Sequence, residues 1–273
     1  MKYFRCGRFK LELGKKTYVM GILNMTPDSF SDGGIHNRID TALEWAFRMI
    51  GEGADIIDIG GESTRPGHQP VEAEEEIDRV IPIIELLSKK ISVPISIDTS
   101  KSKVAEAALK AGASIVNDIW GLQSDPRIAD VAARYQAGIV MMHNKSDTVY
   151  EELMTDIVKF LYKSIEIASA AGISKEFLAV DPGIGFGKTL EQNLETMRRL
   201  KELKVLGLPV LLGTSRKSMI GGVLDLPVDE RLEGTAATIS LGIAYGVDII
   251  RVHDVKEMVR AARMSDAIVR NIS

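Results

Sequence analysis

The sequence predicts an α/β protein, a (β/α)8 TIM barrel with an N-terminal β-hairpin, on three observations. Short runs rich in Ile, Val and Leu recur eight times, each run is followed by sequence of helical period, and the alternation fills the length usual for such a barrel, about 250 residues. Strands that are apolar along their whole length, rather than alternating, belong to a parallel sheet covered by helices. An open doubly wound sheet is the rival arrangement that periodicity leaves standing. No Pro/Ser-rich linker or charge run divides residues 1–273, which read as one domain.

Residues 3–13 and 17–19 are two short apolar patches separated by Gly14-Lys15-Lys16, a hairpin ahead of the main repeat. The first barrel strand is 19–24. Runs 54–60, 94–98 and 114–118 follow amphipathic stretches 38–51, 71–90 and 101–111. Runs 138–143, 177–181, 209–213 and 248–253 follow 126–136, 151–171, 189–204 and 231–245, and a last helix, 255–269, closes the chain. Glycines before several strands, Gly53, Gly112, Gly138 and Gly246, are expected to end the preceding helix in the left-handed conformation.

The composition, 45% hydrophobic and 26% charged, is that of an ordinary globular chain. A net charge of −4 with scattered Lys and Arg gives no electrostatic footprint for nucleic acid. The single cysteine, Cys6, has no partner for an intrachain disulfide, which fits a reducing compartment. With no signal peptide and no run long enough to span a bilayer, the expected location is the cytoplasm, away from membranes.

A barrel of this kind carries its active site where the strands end at their carboxyl side. Those ends read Asn24, Gly60-Gly61-Glu62, Asp98, Asn117-Asp118, His143-Asn144, Asp181, Gly213-Thr214-Ser215 and Arg251-Val252-His253. Helix capping explains Ser100, Asp125, Thr189 and Ser215. It does not reach Asp98, Asn117 and Asp181, which lie inside or at the last position of apolar runs, and buried groups of that kind need partners. A structural network is one answer; a set of acceptors and an amide reading a flat heterocycle rich in N–H donors is the other, and the preferred one. Arg251 and His253, two apart on one strand, point the same way. With Asn24 on the neighbouring strand they outline a diphosphate-sized site in which Asn24 offers an oxygen to Mg2+. The alternative pairs Arg251 with a structural acid such as Asp248 or Asp254.

Two loops add to this. The segment 60–67 is glycine-flanked and carries Arg65 close to the anion site. The segment 183–189 resembles a phosphate cradle but fails the P-loop spacing, because Pro182 stands where the first glycine belongs. The chain has no GxSxG elbow, no HExxH motif and no cysteine cluster, so covalent nucleophilic catalysis is disfavoured. Ring readers beside a cationic pocket suit a displacement whose leaving group carries the charge.

The segments Asn24-Met25-Thr26-Pro27-Asp28-Ser29-Phe30-Ser31-Asp32-Gly33-Gly34 and Asp58-Ile59-Gly60-Gly61-Glu62-Ser63-Thr64-Arg65-Pro66-Gly67 resemble the two signature segments of the dihydropteroate synthases, the sulfonamide targets of folate synthesis. The resemblance continues through Ser96-Ile97-Asp98-Thr99, Val116-Asn117-Asp118, Asp181 to Lys188, Gly213 to Ser218 and Arg251-Val252-His253. It implies condensation of 7,8-dihydropterin-6-ylmethyl diphosphate with p-aminobenzoate on a (β/α)8 barrel, with Mg2+ as cofactor and diphosphate released. By the same resemblance Asp98, Asn117, Asp181 and Lys217 hold the pterin between Ile119 and Met142. Asn24, Arg251 and His253 hold metal and diphosphate, with Thr64 and Arg65 alongside. Phe30, Thr64, Arg65, Pro66, Phe186, Lys217 and Ser218 shape the p-aminobenzoate pocket. Asp32, Asp181, Lys217, Arg251 and His253 form the catalytic set, Asp32 steadying positive charge on the pterin. The resemblance also implies a homodimer formed through the last helices. A pterin-binding paralogue without synthase activity and a folate-dependent methyltransferase on the same barrel are the alternatives.

Overall fold

The computed structural model describes residues 2–26, 35–62 and 71–270. The roles expected of Phe30, Asp32, Thr64, Arg65 and Pro66 lie outside the described residues. The chain opens with β1 (Tyr3–Cys6) and β2 (Phe9–Glu12), an antiparallel pair. Eight parallel strands follow: β3 (Tyr18–Asn24), β4 (Ile56–Gly60), β5 (Ile95–Asp98), β6 (Ile115–Asp118), β7 (Gly138–Met142), β8 (Leu178–Asp181), β9 (Leu211–Leu212) and β10 (Ile249–Val252). Their order is β8-β7-β6-β5-β4-β3-β10-β9. A parallel bridge between Val180 and Val210, with the Val180 amide donating to Pro209 O at 3.0 Å, joins the two ends into a nearly closed barrel. The doubly wound alternative is thereby excluded.

Helices cover the outside: α1 (Ile35–Glu52), α2 (Ala73–Ser88), α3 (Ser102–Ala111), α4 (Arg127–Tyr135), α5 (Leu153–Ala170), α6 (Leu190–Arg198), α7 (Ser218–Leu224), α8 (Leu232–Ala244) and α9 (Val255–Val269). Thr189 starts α6 through a capping box with Gln192, as expected. The expected helix 189–204 is α6 followed by a 3-10 turn at Leu200–Leu206, and α7 was not expected. Among the described residues no helix is long and apolar enough to cross a membrane.

The hairpin is present, but its turn is at Gly7-Arg8 and not at Gly14 to Lys16. Gly7 adopts φ +54°, which closes the tight reversal inside the first patch, and Tyr18 and Val19 belong to the barrel. Phe4 and Cys6, both fully buried, press against the amino end of the barrel. Gly138 is where they dock: a Cβ there would meet Phe4 Cζ at 2.8 Å and Arg5 O at 3.0 Å. Gly53, Gly112 and Gly246 are left-handed as expected, but at Gly138 the expectation fails, since Gln136 ends α4 in that conformation instead.

Two apolar layers result. The larger one lies between strands and helices; the smaller fills the barrel with Tyr18, Met20, Ile56, Ile115, Val140, Ala179, Leu211 and Ile249 above the hairpin. Side chains alternate along a strand, so the next inward residues toward the carboxyl end are two positions on. There the interior becomes polar.

Candidate active site

Those next positions hold Asp58, Asn117, Met142, Asp181, Gly213 and Arg251, with Ser96 and Asp98 on β5. Asp98, Asn117 and Asp181 are all buried, in place at the barrel mouth. Two glycines keep the floor open between strands. A Cβ on Gly60 would stand 3.8 Å from both Asn24 Oδ1 and Asp98 Oδ2, and one on Gly213 would stand 3.9 Å from Asp181 Oδ2 and 4.0 Å from Arg251 Cβ.

Arg251 lies across this floor. Its Nε donates to Asp58 Oδ2 at 2.6 Å and its Nη2 to Asp98 Oδ2 at 2.6 Å. Asp248 and Asp254, the acids named as its alternative partners, are otherwise engaged: Asp248 accepts the Val210 amide and Asp254 pairs with Arg216. Asn117 Nδ2 approaches Asp58 Oδ2 at 3.5 Å. Asp58 Oδ1, Asp98 Oδ1 and Ser96 Oγ are buried without a hydrogen-bond partner among the described residues.

Asp181 accepts the Gly183 amide through Oδ1 at 2.7 Å. Burial pushes its carboxyl up to about 6, against the pull of that amide and of Lys217. Burial raises Asp98 as well, opposed by Arg251. Lys217 is brought down to about 8 by burial and then by Arg251, while Asp181 and Asp98 resist. Its ammonium sits 4.1 Å from the ring centroid of Phe186, so both residues meet at the mouth. Met142 is a buried neighbour of Asp181 in the β7–β8 pairing, and Ile119 is half-buried on the turn after β6. Asp118 fixes that turn by accepting the amides of Trp120 and Leu122. Ser218 is exposed at the start of α7.

His253 completes the cationic corner. The backbone amide of His253 donates to Ser215 Oγ at 3.2 Å, and that oxygen lies 3.1 Å from His253 Nδ1. In the tautomer protonated at Nε2, the Ser215 hydroxyl donates to Nδ1 and the Nε2–H is left to donate to a ligand. Burial, then Arg251 and Arg216, bring the imidazole down to about 4, so it is neutral at pH 7. Ser215 is thus a holder of His253, not the helix cap expected of it. Ser100 makes no cap either, and Asp125 accepts the Ser102 amide at the start of α3 as well as the Arg127 side chain.

Two neighbouring networks brace the site. Lys188 donates to His143 Nδ1 at 2.9 Å and to the carbonyls of Gly183 and Phe186, so segment 183–188 is a folded brace for Phe186. Burial lowers Lys188 to about 7, and burial followed by Lys188 lowers His143 to about 3, so the imidazole accepts. At the rim Lys101 bridges Glu62 and the buried Glu76, anchoring the carboxyl end of β4. Sequence reasoning did not assign Asp58, Ser215 or Lys188 to the site; an acid at an inward position of an apolar strand is the signal that finds Asp58.

The mouth of the parallel barrel thus gathers deep acceptors, a guanidinium and an ammonium, groups able to accept from N–H donors and to pair with an anion. The model of the family described as pterin binding enzyme matches residues 20–253. The dihydropteroate synthase of Clostridium beijerinckii is 55% identical over 267 residues, 97% of this chain and 99% of its own. Among solved structures, the dihydropteroate synthase of Clostridium difficile, crystallised in the presence of pteroic acid, has a TM-score of 0.93 at 57% identity, covering 94% of this chain and 98% of its own. That of Xanthomonas albilineans with 4-aminobenzoic acid has a TM-score of 0.93 at 40% identity, covering 98% of each chain. Fold and family match are those of a pterin-binding barrel enzyme. The chain belongs to the dihydropteroate synthases, transferases of folate biosynthesis.

Proposed function

We propose that this chain joins 7,8-dihydropterin-6-ylmethyl diphosphate to p-aminobenzoate, giving 7,8-dihydropteroate and diphosphate. The observation that carries the reading is the convergence of Asp98, Asn117, Asp181 and Lys217 beside Arg251 inside the barrel mouth. The carboxylates and the Asn117 oxygen accept from the ring's N–H groups, and Lys217 donates to its acceptors. Met142 and Ile119 are walls, and Phe186 with Ser218 faces the second substrate. The family resemblance assigns Thr64, Arg65, Pro66 and Phe30, which lie outside the described residues, to the same substrate, and Thr64 and Arg65 to the diphosphate as well.

The hard step is breaking the C–O bond at the pterin methylene. Its electron pair leaves on the diphosphate, which Arg251 and the Nε2–H of His253 receive in a low-dielectric corner. Asp181, with Asp32, favours the positive charge left on the pterin. The amine nitrogen of p-aminobenzoate has a free lone pair at neutral pH, forms the new C–N bond and releases its proton to water, so no strong general base is required.

Mg2+ fits the donor set. Among the described residues no group of three or more His, Cys, Asp or Glu is arranged to hold an ion. A magnesium that keeps its waters and phosphate oxygens needs only one or two protein oxygens, and Asn24 Oδ1 stands beside Asp98 at the rim. When bound, the ion neutralises diphosphate charge and improves the leaving group. The test is direct: purified chain, pterin diphosphate, p-aminobenzoate and Mg2+ should yield dihydropteroate and diphosphate in equal amounts. Diphosphate release without dihydropteroate, or neither product, overturns the reading.

We also propose that the chain works as a homodimer in the cytoplasm. The support is the large apolar side chains left exposed on two helices that pack together, Leu241 on α8 and Met264 and Ile268 on α9, 52%, 62% and 69% exposed.

A further inference from the structure

Asp58 is a fully buried carboxylate at the centre of β4, between Ile57 and Ile59, which face the helices. An ion in that position is costly, and a buried pair adds little stability over well-packed apolar residues. Its contacts point to a different role. Oδ2 takes Arg251 Nε at 2.6 Å and lies 3.5 Å from Asn117 Nδ2, while Oδ1 has no partner among the described residues. Asp98 holds the same guanidinium from the next strand through Nη2. Two carboxylates on two strands fix the plane of a long side chain. Of the five N–H donors of a guanidinium, three remain for a ligand. The approach of the Asn117 amide nitrogen to Asp58 leaves its side-chain oxygen as the group offered to a ring.

The charge has a second effect. Two carboxylates against one guanidinium make this corner less attractive to an anion than Arg251 would make it alone.

We propose that Asp58 is a positioning residue of the anion site: it holds Arg251 and the Asn117 amide in place and, by its charge, limits how tightly the site grips diphosphate, so that the leaving group departs. The inference rests on the assignment of Arg251 to diphosphate.

The test is calorimetric titration of inorganic diphosphate with Mg2+ into the full chain and three variants. Wild type should bind and Arg251→Met should lose most of that binding; if wild type does not bind, or Arg251→Met binds equally, the diphosphate assignment itself falls and this inference with it. Asp58→Asn keeps an acceptor opposite Nε but removes the charge, and should bind roughly tenfold tighter. Asp58→Val removes the acceptor too and should lose that gain. Unchanged or weaker binding by Asp58→Asn, with Arg251→Met defective, overturns the inference alone. Equal tightening in both Asp58 variants overturns its positioning half. Should an Asp58 variant fail to fold, nitrogen-15 NMR of the wild type decides: the Arg251 Nε–H should be protected from exchange with and without diphosphate, and rapid exchange contradicts the proposal.

Discussion

At the scale of single residues the site sets burial against charge. Asp181 is pushed up to about 6 and Lys217 brought down to about 8, both chiefly by burial. Reading a pterin needs the first ionised and the second protonated. Affinity for a dihydropterin should therefore rise as pH increases through about 6 and fall as it passes about 8, which calorimetry from pH 5 to 9 would show; a flat profile contradicts the roles of both residues. Asp98, Asn117 and Asp181 were legible because each is a polar residue closing or interrupting an apolar run. Asp58 stands in an equally apolar run, but its partner Arg251 lies 193 positions away, and only barrel closure brings the two together. Ser215 precedes a helix and so reads as a cap, yet its hydroxyl is committed to His253 on another strand.

At the scale of elements, eight strands and the helices between them followed from periodicity, with ends moved by at most three residues except at 189–204, where the α-helix stops at Arg198. The hairpin turn was misplaced because Gly14-Lys15-Lys16 is the more conspicuous turn signal, whereas the register is set by burying Phe4, Cys6 and Leu11 on one face. Helix α7 escaped notice because Ser218-Met219-Ile220-Gly221-Gly222 carries two glycines and almost no helical pattern. The hairpin packs at the end of the barrel opposite the site. Phe4→Ala should cost about 3–5 kcal/mol in urea unfolding, as for other buried phenylalanines, with turnover per folded molecule unchanged. A matching loss of turnover would show that the hairpin is coupled to the catalytic mouth.

For the whole molecule, closure is the decisive event. Until β10 pairs with β3, and β8 with the segment before β9, Arg251, Asp58, Asp98 and Asp181 belong to distant parts of the chain. This explains why sequence could name most of the site but not its ion pairs. Assembly through the exposed apolar residues of α8 and α9 is likewise a property of the whole molecule. Sedimentation should find a dimer at micromolar concentration, and Leu241→Glu with Met264→Glu should give a folded monomer; a wild-type monomer under those conditions contradicts the assembly. One barrel mouth is proposed to bind the pterin ring and its diphosphate together. A crystal structure with the pterin diphosphate and Mg2+ tests it most directly. The ring should lie among Asp98, Asn117, Asp181 and Lys217 and the diphosphate beside Asn24, Arg251 and His253. A ring bound elsewhere, or a diphosphate turned away from Arg251, would contradict it.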